Sequence, residues 1–231
     1  TKFSGLSIFS DLNNLEDISL DEEYTAICGL TKNEIENNFA DYLDAFAEKE
    51  STSRENLMQT LKEMYDGYHF STDIDTDIYN PFSVINTLKK KRMSNMWFKS
   101  GTPTLLLKAI KTNNFDLASI AKSKVQIDDL SEGSNLEDDI ISLLYQTGYL
   151  TIKDYDKTTR KYELGFPNHE VEYGFINNLM PYYTGLSRTK SDYNIQNLVN
   201  ALKDGDVEQY MQFMQEFLAS IPYEIITILE E

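Results

Sequence analysis

The chain has 231 residues, 41% of them apolar and 12% aromatic, enough for a sizeable core and too rich in Tyr and Phe for a disordered segment. Its 38 Asp and Glu oppose 21 Lys and Arg, a net charge of −17, which argues against a surface built for nucleic acid. Cys28 is the single cysteine, so no internal disulfide can form. No apolar run reaches membrane-spanning length and no signal peptide opens the chain, so no membrane partner and a reducing, cytoplasmic location are expected.

In chain order, Phe3, Leu6, Ile8 and Phe9 read as a strand end running into an irregular polar loop. Thr31 and Glu34 form a T-x-x-E capping box ahead of Ile35, Phe39, Leu43 and Phe46, whose spacing predicts one helix. Leu57, Leu61 and Met64 predict a second over about 53–65, ended by Gly67. Asn80 as cap and Pro81 in the first turn open a third, with Phe82, Ile85 and Leu88 expected to face inward. Thr102 and Pro103 repeat that device.

The polar stretch 111–133 reads as a linker. Beyond it, Ser134 and Glu137 make a second capping box for an apolar helix containing Ile140, Ile141, Leu143 and Leu144, which Gly148 stops. YLTIKDY and RKYELGF then predict two strands around the turn D-K-T-T. Period-two alternation points Leu150, Ile152 and Leu164 to the core, with Tyr149, Thr151, Lys153 and Tyr155 on the opposite face. A helix after Pro167 carries Val171, Phe175, Ile176 and Leu179. Two more, broken by Gly205, are expected to bury Val199, Leu202, Val207, Tyr210, Phe213, Met214 and Phe217.

The fold class expected is therefore mainly α (α+β). It comprises a helical lid-like lobe (1–110), the linker, a winged-helix-like subdomain with one β-hairpin (134–186) and a C-terminal helical connector (187–231).

Chemistry-bearing motifs are mostly missing. There is no G-x-x-x-x-G-K-[ST] phosphate loop, nor even a Gly-Lys pair. The apolar run before Glu230 and Glu231 imitates an acidic strand that holds magnesium, but without a phosphate loop it reads as the end of an amphipathic helix. No D/E-x-K triplet of a metal-dependent nuclease occurs, and the E-x-E pairs Glu34/Glu36 and Glu170/Glu172 read as surface charge. Asp73, Asp75 and Asp77 imitate the start of a calcium loop, but Ile78 and Val84 stand where it needs Gly and Glu, so a solvated turn is expected.

His69 and His169 are far apart and form no zinc pattern. Ser119/Lys122 and Ser187/Lys190 satisfy S-x-x-K without its partner motifs, and Gly5-Leu6-Ser7 lacks the second glycine of a nucleophile elbow. No catalytic, cofactor-binding or metal residue is assigned on these grounds. Lys89, Lys90, Lys91 and Arg92 read as a solvated helix end. Lys157, Arg160 and Lys161, at the hairpin turn, are the one candidate for weak nucleic-acid contact.

Six strings are distinctive in this order: KFSGLSIFSDLNNLEDISLD, YDGYHFS, YNPFSVINTL, WFKSGTPTLLLKAI, LLYQTGYLTIKDY and YELGFPNHEV. Together they resemble the bacterial AAA-ATPase-like proteins of Bacteroidetes type. In that family these motifs lie between a P-loop NTPase core and a PD-(D/E)XK nuclease-like domain. Ser100 stands where Thr is usual there, and His69 where Arg is common.

The resemblance implies that both catalytic centres lie outside this sequence, that ATP and magnesium belong to the parent protein, and that the partners are its own NTPase core and nuclease-like domain. Residues 187–231 would lead towards that second domain. The role implied is non-catalytic and regulatory, coupling nucleotide state to the effector. Tyr65, Asp66, Gly67 and Tyr68, with Gly101, Thr102 and Pro103, are the candidate face against the NTPase core. A purely fold-maintaining use of the same residues is the competing reading. Rival functions are a winged-helix nucleic-acid-binding module and a free-standing protein-interaction domain.

Overall fold

A computed structural model describes residues 18, 20–71, 77–96, 106, 110, 124–126 and 140–220. Asp73, Asp75, Gly101, Thr102, Pro103, Ser119, Lys122, Ser134, Glu137 and both chain ends lie outside these residues. The protein is mainly helical with one small antiparallel sheet, an α+β chain. It forms two compact units, residues 1–172 and 173–231.

In the first unit, helix α1 (Lys32–Asn38) starts at the Thr31/Glu34 box with both reciprocal bonds made, which satisfies two otherwise orphaned backbone donors. The single helix expected from Ile35 to Phe46 is divided: the backbone leaves the helical region at Phe39 before α2 (Ala40–Lys49) resumes. Both pieces keep their apolar residues on one side, so Ile35, Leu43 and Phe46 all reach the core.

Helix α3 (Arg54–Tyr65), capped by Ser53, adds Leu57, Met58, Leu61 and Tyr65. Helix α4 (Pro81–Lys90) starts as expected at Asn80, whose side chain accepts from Ser83 N–H, with Pro81 in the first turn. Its buried face differs from the expectation. Phe82 and Ile85 are exposed, while Ser83, Val84, Thr87 and Leu88 are buried. The inward hydroxyls have partners: Thr87 donates to the Tyr65 hydroxyl at 2.9 Å and Ser83 to the Glu170 carboxylate at 2.6 Å. Lys91 closes the helix in a left-handed conformation, and Lys89 and Lys90 sit exposed at its end.

The sheet has the order β1-β3-β2, with β1 (Lys124–Gln126), β2 (Thr151–Asp156) and β3 (Lys161–Gly165) all antiparallel. The stretch read as a linker thus contributes a third strand to the hairpin. Helix α5 (Ile140–Gln146) precedes β2, and Gly148 (φ +79°) ends it as expected. Leu150, Ile152 and Leu164 point to the core, but strict alternation fails, because Thr151 is buried beside Ile152. Thr151 is covered by His69, whose backbone bonds its hydroxyl; beyond it a bulge, in which Ile152 opposes Leu164 and Asp154 opposes Glu163, leaves Lys153 as the extra residue.

Helix α6 (His169–Thr184) follows Pro167 and crosses from the first unit into the second. Its Val171, Phe175 and Leu179 are buried, whereas Ile176 is exposed. In the second unit, α7 (Arg188–Lys203) and α8 (Val207–Ala219) pack as a helical hairpin around Gly205, whose φ of +70° suits a residue without Cβ. Leu202 and Val207, expected inside, are exposed, and no residue of α8 is fully buried. Two helices have too little facing surface to cover a stripe as wide as that of α8.

Candidate functional site

The YDGYH segment, residues 65–69, leaves the end of α3 and turns into an extended run. Tyr68 and Ile78 bridge as antiparallel partners, and Leu30 and Tyr79 do the same one position on. That register sets His69 opposite Asp77, and His69 Nδ1 lies 2.8 Å from Asp77 Oδ1. Sequence reasoning does not find the pair. Its only signal is two short extended pieces around a polar turn, which make a ladder once the chain folds back.

The same segment is clamped from the other side. The Thr151 hydroxyl accepts from His69 N–H at 2.7 Å and donates to His69 C=O at 2.8 Å, standing in for a strand partner. Asn168 Nδ2 donates to Asp66 C=O at 2.9 Å, while its Oδ1 accepts from Val171 N–H and caps α6. Gly67 takes φ +90° and lies so close to the Pro167 carbonyl that a Cβ there would sit 2.3 Å from its oxygen. Lys153, freed by the bulge, reaches the same Pro167 carbonyl with its amine at 3.2 Å.

Thr151→Val keeps the shape of this clamp and removes both hydroxyl bonds. A buried backbone donor and acceptor left unpaired are expected to lower stability by roughly 2–3 kcal/mol in urea unfolding. A loss below about 0.5 kcal/mol, the scatter of a neutral surface change, would show that His69 finds other partners.

The ionisable side chains of Asp66, His69, Asp77, Tyr79 and Lys153 meet here. Burial raises the Asp66 carboxyl, Asp77 adds to that, and the Gly67 N–H, Lys62 and His69 oppose it; the balance lies at about 6. Asp77 is also raised by burial, but the His69 hydrogen bond and the charges of His69, Lys62 and Lys153 prevail and hold it below the usual range. Partial burial lowers the Lys153 amine, against the pull of Asp77 and Asp66. Tyr79, buried beside Asp66 and hydrogen-bonded to it, is shifted well up. Among the described residues, no group of three or more His, Cys, Asp or Glu side chains could hold a metal ion.

A second buried anchor lies in the first turn of α6. Glu170 accepts there from the Ser83 hydroxyl at 2.6 Å and from the Met96 backbone N–H. Expected as surface charge, it is buried in the fold because these two donors satisfy it. Tyr65 accepts from Thr87 and from Ser94 N–H, and donates to Ser94 C=O.

Of the residues expected to face a nucleotide-binding core, Tyr65, Asp66 and Tyr68 are buried in this chain's own interior, and Gly67 is closed off by Pro167. They hold α3 to the sheet and to the start of α6. Lys157 and Arg160 are exposed at the tip of the β2–β3 turn and Lys161 is half-buried, so the three share one turn but not one open surface. Asp156 organises that turn by accepting from Thr158 and Thr159.

Fold and site together define a mainly helical α+β chain whose polar centre joins the buried Asp66 and His69 to the half-buried Asp77 and the exposed Lys153. No family model matches the chain, and no solved structure matches it. A protein of Azotobacter chroococcum mcd 1, described as an uncharacterized protein in the vnfD 5′ region, is 29% identical over 227 residues, 97% of this chain. The chain spans 41% of that relative's length. No helix among the described residues is long and apolar enough to cross a membrane.

Proposed function

We propose that this chain is the non-catalytic coupling region of a larger AAA-ATPase-like protein, carrying nucleotide state from an NTPase core to a nuclease-like effector domain. The observation that supports this most is the anchoring of α6. Its first turn is tied into the first unit by Glu170 and Asn168, and the same helix runs on into the second unit. A displacement of the first unit would carry the start of α6 with it through these bonds. The relative of more than twice this span supports a place within a longer chain. In this reading ATP and magnesium bind the core.

The sheet order with Lys157 and Arg160 at its tip favours a second reading, a wing that touches a nucleic-acid backbone. Net charge of −17 ranks it below coupling.

The test is amide hydrogen exchange on the full-length parent, with and without ATP and magnesium. Protection across α6, α7 and α8 is expected to change with nucleotide in the wild type. In Glu170→Gln it is expected to stay constant while the core still binds ATP. Wild-type helices indifferent to ATP would sink the coupling role.

A further inference from the structure

Asp66 is 4% exposed, and its Oδ1 has no hydrogen-bond partner among the described residues. A buried carboxylate oxygen in that position costs free energy whenever it is charged, and far less when it carries a proton. The charges facing it come from every packed element. Lys62 lies on the helix that Asp66 ends, His69 and Asp77 on the two bridged segments, and Lys153 on the bulged strand; Tyr79 donates from the bridge. The 167–168 segment presents only the neutral Pro167 and Asn168. Asp77 is committed to His69 at 2.8 Å, so of the two acids Asp66 is the one left to be neutral.

The position of this acid gives the proton a mechanical consequence. The backbone of Asp66 holds Asn168, and Asn168 caps α6. The next residue, Gly67, sits against Pro167. The neighbouring His69 is held on both backbone groups by Thr151. A charge forced onto Asp66 therefore acts where α3, the sheet and the start of α6 are joined.

We propose that Asp66 is a proton-operated latch: the neutral acid keeps residues 65–69 seated between the sheet and the cap of α6, and ionisation releases them. The latch is a property of the first unit alone and does not rest on the coupling role. The direction of the pH effect follows from the raised carboxyl. The fold prefers the neutral form, so this contribution is complete below about pH 4 and is lost as pH rises through about 6.

The experiment is native-state hydrogen exchange on this chain at pH 5 and pH 7.5, corrected for intrinsic chemistry, reading the amides of Tyr68, His69 and Val171 with Leu43 as a distant core control. In the wild type, protection at the three sites is expected to fall about tenfold between the two pH values, the change for one group with a midpoint near 6. Leu43 should hold, and Asp66→Asn should flatten the response. An equal response in Asp66→Asn, a constant wild type, or a fall shared by Leu43 would each overturn the latch. Should the variant fail to fold, carbon-13 titration of the wild-type Asp66 carboxyl decides: a midpoint near 6 coinciding with the exchange step supports it, and one at the ordinary Asp position overturns it.

Discussion

Ile152→Asp is expected to unfold the first unit. Ile152 is 0% exposed and opposes Leu164 across the hairpin, with Leu150 beside it in the same core. Losing a fully buried isoleucine removes about 3 kcal/mol of transfer free energy. Placing an unpaired carboxylate in the space costs several kcal/mol more, or forces it to hold a proton. The sum is comparable with the whole stability of a typical domain, about 5–15 kcal/mol. Circular-dichroism melting should show loss of the cooperative transition, or a midpoint lowered by tens of degrees. Because Lys153 is a bulged residue, the core-facing register ends at Ile152. Lys157→Asp, at an exposed position in the turn beyond β2, should melt within a few degrees of the wild type. Similar melting for Ile152→Asp and the wild type would refute the register.

Gly67→Ala should be nearly as damaging for a different reason. At φ +90° a side chain strains the backbone, and the added Cβ would meet the Pro167 carbonyl oxygen at 2.3 Å, far inside contact distance. Moving Pro167 pulls on the Lys153 amine, and moving Gly67 pulls on the Asp66 carbonyl held by Asn168. A loss of about 3–5 kcal/mol is expected, at the upper end for single substitutions. Gly205 separates the two causes, since it has φ +70° but no atom within 4 Å of the place a Cβ would take. Gly205→Ala should lose only the left-handed strain, about 1–2 kcal/mol. Urea unfolding of the two variants makes the comparison, and equal losses would remove the Pro167 contact from the explanation.

Local chemistry set the punctuation of the chain, and that much is legible in the residues alone. The Thr31/Glu34 box, the Asn80–Pro81 start, and the stops at Gly67, Gly148 and Gly205 all appear where short-range signals place them, because caps and left-handed glycines depend on residues only a few positions apart. The hairpin and the inward Leu150, Ile152 and Leu164 are legible for the same reason.

Which polar groups went inside depended on partners distant in the chain. Ser83 and Thr87 displaced Phe82 and Ile85 from the buried face of α4 because their partners, Glu170 and Tyr65, lie 87 and 22 residues away. Glu170 reads as surface charge until Ser83 and Met96 give it partners, and Asp77 reads as part of a solvated turn until the bridge sets it against His69. The division of the chain follows the same logic. Bonds from residues 66–69 to Thr151 and Asn168 join the hairpin to the helical lobe, so the boundary falls within α6 instead of the polar stretch 111–133. Hydrophobic periodicity reports what a segment can bury, whereas the pairing of a buried charge depends on groups that only folding brings within 3 Å.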